Sequence, residues 1–382
     1  MTAARPLRVR ADACPGALQT HPAADGALAR IRLPGGALTA GRLRVLAHAA
    51  RDLGDGSLEL TSRGNVQLRG LRPGAETELG RRLAVAGLLP SATHERVRNV
   101  LASTLSGRAG GRLDVRSWVA AFDAGLCADP TFAELPGRFL ATLDDGRGDV
   151  AGLGGDIGLL ALEPGTVALI LGGVDTGLRT DPRGAVDLAL AATRSFLAER
   201  AGQGGTAWRL AELADGVARV AARLPGPRAI PVEVPAAPRN GPAGAVPQDD
   251  GLTALVAVVP LGRLTAGQSD LLAATSADLQ VTPWRSIVLA DLADASAVPA
   301  LTAAGLVLDP GSPWLRVTAC TGRPGCAKSL ADVRADASAA ASGGTLPAAG
   351  ARQHWAGCER RCGRPQGDVV DVVATGNGYR IS

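Results

Sequence analysis

Four cysteines near the end of the chain, Cys320 and Cys326 spaced C-x5-C and Cys358 and Cys362 spaced C-x3-C, are the residues whose type and spacing best suit chemistry. Two short loops that each bring two thiolates are what a [4Fe-4S] cluster requires. Thr321, Gly322, Arg323, Pro324 and Gly325 fill the first loop and Gly357 and Gly363 bracket the second, so backbone amides can approach cluster sulfurs. A structural zinc site uses the same ligand type, but its paired cysteines usually lie about two to four residues apart. Disulfides would need an oxidising compartment, and Met1 to Arg10 has no apolar core of the kind that acts as a secretion signal. The spacing favours a cluster over zinc, and zinc over disulfides. Cys14 and Cys127 fall outside the motif and read as small buried hydrophobes.

Composition narrows the class of protein. A chain of 382 residues can bury two or three sizeable cores. No apolar run reaches the roughly 18 residues of a membrane span, so a cytoplasmic protein without a membrane partner is expected. The net charge is +4, but the basic residues are nearly all arginine, with Lys328 the only lysine, which together with abundant Ala and Gly reads as a compositional bias. With 3% aromatic residues there are few stacking platforms, and no nucleic-acid partner is expected. Gly152 to Gly158 is glycine-rich but lacks the spacing of a dinucleotide fingerprint.

The elements that must position the cysteines repeat. A strand at Ile31 to Leu33 leads to Leu38-Thr39-Ala40-Gly41, then to a helix over Arg42 to Arg51 with Leu43, Leu46, Ala47 and Ala50 on one face. Alternating Leu58, Leu60 and Val66, Leu68 predict a strand hairpin. The second copy runs through a strand at Leu255 to Val259, Leu264-Thr265-Ala266-Gly267, a helix from Gln268 to Thr275, and strands around Leu279 to Val281 and Ile287 to Leu289. The repeat extends to Arg98-Asn99-Val100-Leu101-Ala102-Ser103, which matches Arg316-Val317-Thr318-Ala319-Cys320, with the cysteines missing from the first copy. Leu224 to Asp250, rich in Pro, Gly and Ala, reads as a linker, and the Ala-rich stretch from Ala335 as a helix ended by Ser342-Gly343-Gly344.

These cysteines, the duplicated half, the Arg-Asn-Val segment and Thr61-Ser62-Arg63-Gly64-Asn65-Val66-Gln67-Leu68-Arg69 resemble the sirohaem-type sulfite and nitrite reductases. The resemblance covers nearly the whole chain. Within that superfamily, Ala13-Cys14-Pro15-Gly16 and His21-Pro22-Ala23-Ala24-Asp25-Gly26 look most like the precorrin-3B synthases of the aerobic cobalamin pathway, as does the compact length. The implied fold is α+β, with duplicated ferredoxin-like half-domains and two mixed α/β sulfite-reductase-like halves around a central pocket. On that pattern residues 1–75 form the first ferredoxin-like half, 76–224 a cluster-free pocket domain, 225–250 the linker, 251–310 the second ferredoxin-like half and 311–382 the cluster-binding half.

What the resemblance implies about chemistry turns on the pocket. In the reductases sirohaem sits against the cluster, bridged by the cysteine that matches Cys362, and a pair of lysines supplies protons. Leu135-Pro136-Gly137-Arg138-Phe139-Leu140 resembles that segment, with Arg138 and Leu140 at the lysine positions. Arginine does not readily give up a proton and leucine has none to give, so reduction of sulfite or nitrite is disfavoured. The synthases instead take precorrin-3A as a substrate and, with dioxygen, hydroxylate a meso carbon and close a lactone. Arg63, Arg98 and Arg138 match the tetrapyrrole-binding positions, with Arg69 and Arg108 behind them, because guanidinium groups pair with ring carboxylates. Asn65 and Asn99 either orient carboxylates or hold turns. The cofactors implied are a [4Fe-4S] cluster and a mononuclear non-haem iron, with sirohaem only under the reductase alternative. The electron donor would be external, a ferredoxin or an NAD(P)H-dependent reductase. Among His21, His48, His94 and His354, a two-histidine, one-carboxylate iron site is hard to assemble. His21 with Asp25 is the most interesting pair, His48 reads as structural, and His354 as a hydrogen-bonding neighbour of the cluster. A third reading, a non-catalytic iron–sulfur carrier or zinc-stabilised protein, leaves the pocket resemblance unexplained.

Overall fold

The computed structural model describes Asp12 and residues 14–382. The Met1 to Arg10 segment, and Ala13 of the Ala-Cys-Pro-Gly run, lie outside the described residues. Among the described residues nineteen strands form four sheets, accompanied by eight α-helices. No described helix is long and apolar enough to cross a membrane.

The hairpins expected from alternation are present. Leu58 pairs with Leu68 and Leu60 with Val66 across Ser57–Leu60 and Val66–Leu71. In the second copy Leu279 pairs with Leu289 and Val281 with Ile287. The helices run over Ala40–Leu53 and Ala266–Thr275, each beginning two residues before periodicity indicates, because the threonine of each Leu-Thr-Ala-Gly run caps its helix. Thr39 accepts from the Arg42 amide, and Thr265 from the Gln268 amide in a reciprocal capping box. Leu43, Leu46, Ala47 and Ala50 are all buried.

The two copies do not form separate sheets. Ala37–Thr39 of the first copy pairs with Asp278–Val281 of the second, and Arg263–Thr265 of the second pairs with Ser57–Leu60 of the first. Leu38 faces Leu279 in one junction, and Leu264 faces Leu58 in the other. Each copy's sheet is thereby finished at one edge by a strand of its twin, which covers what would be an open edge of that copy. One continuous core runs through both copies and includes Leu79 and Leu83 of helix Ala75–Val85, so that helix belongs to the first half rather than to the segment that follows.

The remaining two sheets repeat as well. Val100–Ala102, Ala141–Asp144 and Ile157–Glu163 are parallel neighbours, followed by antiparallel Thr166–Leu171 and Val174–Thr180. Val317–Ala319, Gln353–Ala356 and Val370–Thr375 are likewise parallel, followed by antiparallel Gly378–Ile381. All four phenylalanines, Phe122, Phe132, Phe139 and Phe196, are buried in the larger of these halves. The Ala-rich helix is Val333–Ser342, ended by Gly343. Gly152 to Gly158 leads from a 3-10 turn into a strand and not into a helix. The linker is a wall rather than a tether: Gly244–Pro247 joins the second sheet as an edge strand, and Pro235 and Ala237 lie against Gly152.

Because the exchanged strands carry fully buried leucines, Leu38→Ala and Leu264→Ala should each cost about 2–5 kcal/mol. Denaturant unfolding of the two variants should show similar losses, since the positions are related by the repeat; a cost below about 1 kcal/mol in either would contradict the shared core.

Candidate functional site

The four sheets enclose a cavity of about 560 Å³, within the usual range for cofactor-sized ligands. The hairpin turns of the two ferredoxin-like copies enter it from related directions. In the first, Thr61 donates its amide to the Asn65 carbonyl and accepts from the Gly64 amide; in the second, Thr282 donates to Ser286 and accepts from Arg285. Arg63 comes from one turn and Trp284 and Arg285 from the other. Leu101, Leu140 and Leu153 supply an apolar patch from the cluster-free half, and Thr318, Gln353 and Gly363 come from the half that carries the cysteines.

Among the described residues seven arginines line this space, with Asp368 the one carboxylate in the lining. Arg209 is held by Asp156 at 2.8 Å, Arg239 by Asp368 at 2.8 Å and Arg364 by Asp371 at 2.8 Å. Among the described residues no carboxylate pairs with Arg63, Arg285, Arg316 or Arg352. Burial, followed by the neighbouring charge of Arg209, pushes Arg63 down to about 10. Burial also lowers Arg285, with Arg334 adding to it, and lowers Arg352, with Arg239 adding to it. All three remain cationic at neutral pH, so an anion with several carboxylates is the occupant that best offsets their desolvation.

The expected site residues divide. Arg63 lines the cavity. Arg98 does not: its guanidinium is buried and forked onto Asp123 at 2.6 and 2.7 Å. Arg138 is exposed and lies over the Trp208 ring at 5.1 Å, while Leu140 of the same segment faces the cavity. Arg69 is held by Asp25, and Arg108 by Asp291 and Asp278. Asn65 and Asn99 hold backbone, Asn65 accepting from the Leu33 amide and donating to Asn99, which donates to the Gly137 carbonyl. Arg209, Arg239, Arg285, Arg316, Arg352 and Arg364 were not singled out by spacing. The repeated hairpin turn was the available signal for Arg285, and closeness to Cys358 and Cys362 for Arg352 and Arg364.

Cys320 and Cys358 follow the ends of the adjacent parallel strands Val317–Ala319 and Gln353–Ala356, so both cysteine loops leave the sheet on the same side. Three hydrogen bonds join the loops: the Cys320 amide to the Trp355 carbonyl at 2.9 Å, the Gly357 amide to the Cys320 sulfur at 3.1 Å, and the Leu330 amide to the Gly357 carbonyl at 2.8 Å. Burial raises the Cys320 thiol; the amides of Gly357 and Gly322 pull it down, and the nearness of Cys362 and Cys326 adds to the rise. Thiols on two neighbouring amide-rich loops are the kind of donor that a [4Fe-4S] cluster takes. Cys320, Cys326 and Cys358 are half-buried and Cys362 is exposed, next to Gly363 of the cavity. Among the described residues no three His, Cys, Asp or Glu side chains are grouped so as to hold a metal ion, the four cysteines included, and no ligands are placed for the expected mononuclear iron. His21 and His48 are on the surface, and His94 is buried between Ser91 and the Asp129 carbonyl. His354 bonds Thr318 at 3.0 Å, and burial, then Arg285, pushes it down to about 4.

The cluster-free half repeats this geometry with oxygen in place of sulfur. The Ser103 amide donates to the Leu143 carbonyl at 3.0 Å, and the Ser103 hydroxyl accepts from the Asp145 amide at 3.0 Å, as Cys320 does from Gly357. Asp149 then ties the two loops, accepting from the Ser103 hydroxyl at 2.7 Å and the Thr104 amide at 2.9 Å.

The family comparisons agree with this architecture. Residues 21–86 match the nitrite/sulfite reductase ferredoxin-like half domain. A ferredoxin–nitrite reductase of Synechococcus elongatus is 28% identical over 92% of this chain and 77% of its own length. A precorrin-3B synthase of a Sinorhizobium species is 25% identical over 98% of this chain and 83% of its own. The solved structure of Mycobacterium tuberculosis NirA protein superposes with a TM-score of 0.71, covering 93% of this chain and 74% of that one at 22% identity. Over most of its length the chain is thus similar to nitrite and sulfite reductases and to a precorrin-3B synthase, and it shares the fold of the NirA structure.

Burial pushes the Asp149 carboxyl up to about 6, against the pull of Ser103 and Thr104. Between the ordinary value of 3.8 and about 6 the folded chain holds a proton that the unfolded chain has released, so this group's stabilising contribution is lost as pH rises through that window. Asp149→Asn should remove a fall in stability of about 3 kcal/mol across that pH window, read by urea unfolding. An unchanged slope would mean that the carboxyl titrates normally.

Proposed function

We propose that the chain is an oxygen-dependent tetrapyrrole oxygenase of the precorrin-3B synthase type, converting precorrin-3A to precorrin-3B. One atom of dioxygen enters the meso carbon, the ring-A acetate closes to a lactone, and the other oxygen atom leaves as water. The observation that carries this reading is the cavity lining, which is rich in guanidinium groups yet contains no lysine, histidine, tyrosine or cysteine. Such a lining can bind a carboxylate-fringed ring but offers no side chain that exchanges a proton readily near neutrality. Leu140 faces the cavity at a position where the reductase resemblance expects a lysine.

In this reading Arg63, Arg285, Arg316 and Arg352 take the ring carboxylates, since described carboxylates do not already engage them. Trp284 and the leucine patch contact the ring face. Cys320, Cys326, Cys358 and Cys362 would hold the cluster, which when bound supplies electrons one at a time. The donor is an external ferredoxin or NAD(P)H-dependent reductase, in keeping with the ferredoxin named for the cyanobacterial relative.

A second reading, sirohaem-dependent nitrite or sulfite reduction, is favoured by the somewhat higher identity to the nitrite reductase, 28% against 25% for the synthase. The same arginines would then hold a cofactor instead of a substrate. Protein given precorrin-3A, reductant and isotopic dioxygen should yield labelled product. Unlabelled product, or turnover of nitrite or sulfite with reduced viologen, would overturn the oxygenase.

Arg63→Ala and Arg316→Ala should each weaken binding of a carboxylate-fringed porphyrin by about 10- to 100-fold, the loss of charge-assisted hydrogen bonds worth about 1.5–3 kcal/mol. Arg98→Ala should leave that affinity within about twofold while lowering stability by about 3 kcal/mol, because it strands Asp123. Titration by fluorescence quenching together with unfolding curves separates the two outcomes.

A further inference from the structure

The His21-Pro-Ala-Ala-Asp-Gly run and Arg69 have no place in the cavity, yet the fold brings them together on the cysteine half. His21–Ala23 and Gly26–Ile31 form a hairpin whose turn presents Asp25. Arg69, on strand Val66–Leu71, forks onto that carboxylate through Nε at 3.0 Å and Nη2 at 2.9 Å. The second hydrogen of Nη2 goes to the Gly325 carbonyl at 2.9 Å, across 256 residues of sequence. Gly325 directly precedes Cys326. Arg69 is buried, and a Cβ on Gly325 would stand 2.8 Å from Asp25 Oδ2 and 2.7 Å from Thr321 Cγ2, so the close approach requires glycine. Beside it, Glu59 of the same sheet meets Arg334 at 2.6 Å, on the helix that follows the first cysteine loop.

We propose that Arg69, oriented by Asp25, is a positioning residue for the cluster: its guanidinium fixes the Gly325 carbonyl and so presets where Cys326 presents its thiolate. The first ferredoxin-like half thereby acts on the cluster half through one guanidinium–carbonyl hydrogen bond, beside the Glu59–Arg334 ion pair. The planar fork is essential, because two donors must hold the carboxylate while a third reaches the carbonyl. A lysine at this position keeps the charge and loses the geometry. The inference rests on the reading of Cys320, Cys326, Cys358 and Cys362 as cluster ligands.

The test uses full-length wild type, Arg69→Lys, Asp25→Asn and Gly325→Ala, each reconstituted with iron and sulfide without oxygen. Fold is monitored by the unfolding midpoint before reconstitution, and the cluster by iron and sulfide content, rate of iron loss to a chelator, and the paramagnetic resonance spectrum after reduction. Variants that retain the fold should lose iron at least about tenfold faster than wild type and show shifted resonance positions, as expected when an outer partner of a metal ligand is removed. Gly325→Ala keeps both charges and pushes the cysteine loop away from Asp25, Arg69 and Thr321, so it reports even where the charge variants unfold. Wild-type loss rates and spectra in the folded variants would overturn the clamp. Failure of wild type to take up iron and sulfide would instead overturn the cluster reading.

Discussion

The exchange of edge strands between the two ferredoxin-like copies is the constraint on which the rest depends. Ala37–Thr39 and Arg263–Thr265 each complete the other copy's sheet, so neither copy closes its core alone. The same exchange fixes the distance between the two hairpin turns that carry Arg63 and Arg285, which therefore project into one space. The cavity is a product of the duplication and not of either half. Its charge follows from that: guanidinium groups contributed by distant segments converge where the lining supplies one carboxylate, and the imbalance is compensated only by an anionic occupant.

Duplication also explains how one half came to differ from the other. Ser103 and Cys320 occupy equivalent ends of equivalent strands and accept equivalent amide hydrogen bonds. In one half the loops are then tied by the Asp149 carboxylate; in the other they carry free thiols. The cluster-free half becomes a buttress, with all four phenylalanines in its core and Leu101, Leu140 and Leu153 turned toward the cavity. A cavity wall of leucine and arginine favours holding a large anionic ring over delivering protons to a small anion.

Much of this was legible from local pattern. Alternation located the hairpins, the Leu-Thr-Ala-Gly runs located the two capped helices, and the matched segments around Ser103 and Cys320 located the repeat. Three-residue strands such as Ala37–Thr39 carry no period of their own, and which sheet they join is decided by tertiary packing. The arginines show the same limit. Arg63 and Arg98 both match motif positions, but Asp123, 25 residues from Arg98, neutralises one and not the other. Arg138 lies in the right segment and faces out, since its neighbour Leu140 is the residue that points inward. In a chain this rich in arginine, the partner of each guanidinium decides its role, and that partner is a property of the fold.

The central claim is that the arginine cavity receives a tetrapyrrole as substrate beside a cluster held by Cys320, Cys326, Cys358 and Cys362. An absorption spectrum of protein purified without oxygen addresses it most directly. A broad iron–sulfur shoulder without haem bands is the predicted result. Sirohaem bands that persist through purification would contradict it, because the cavity would then already be filled by a cofactor.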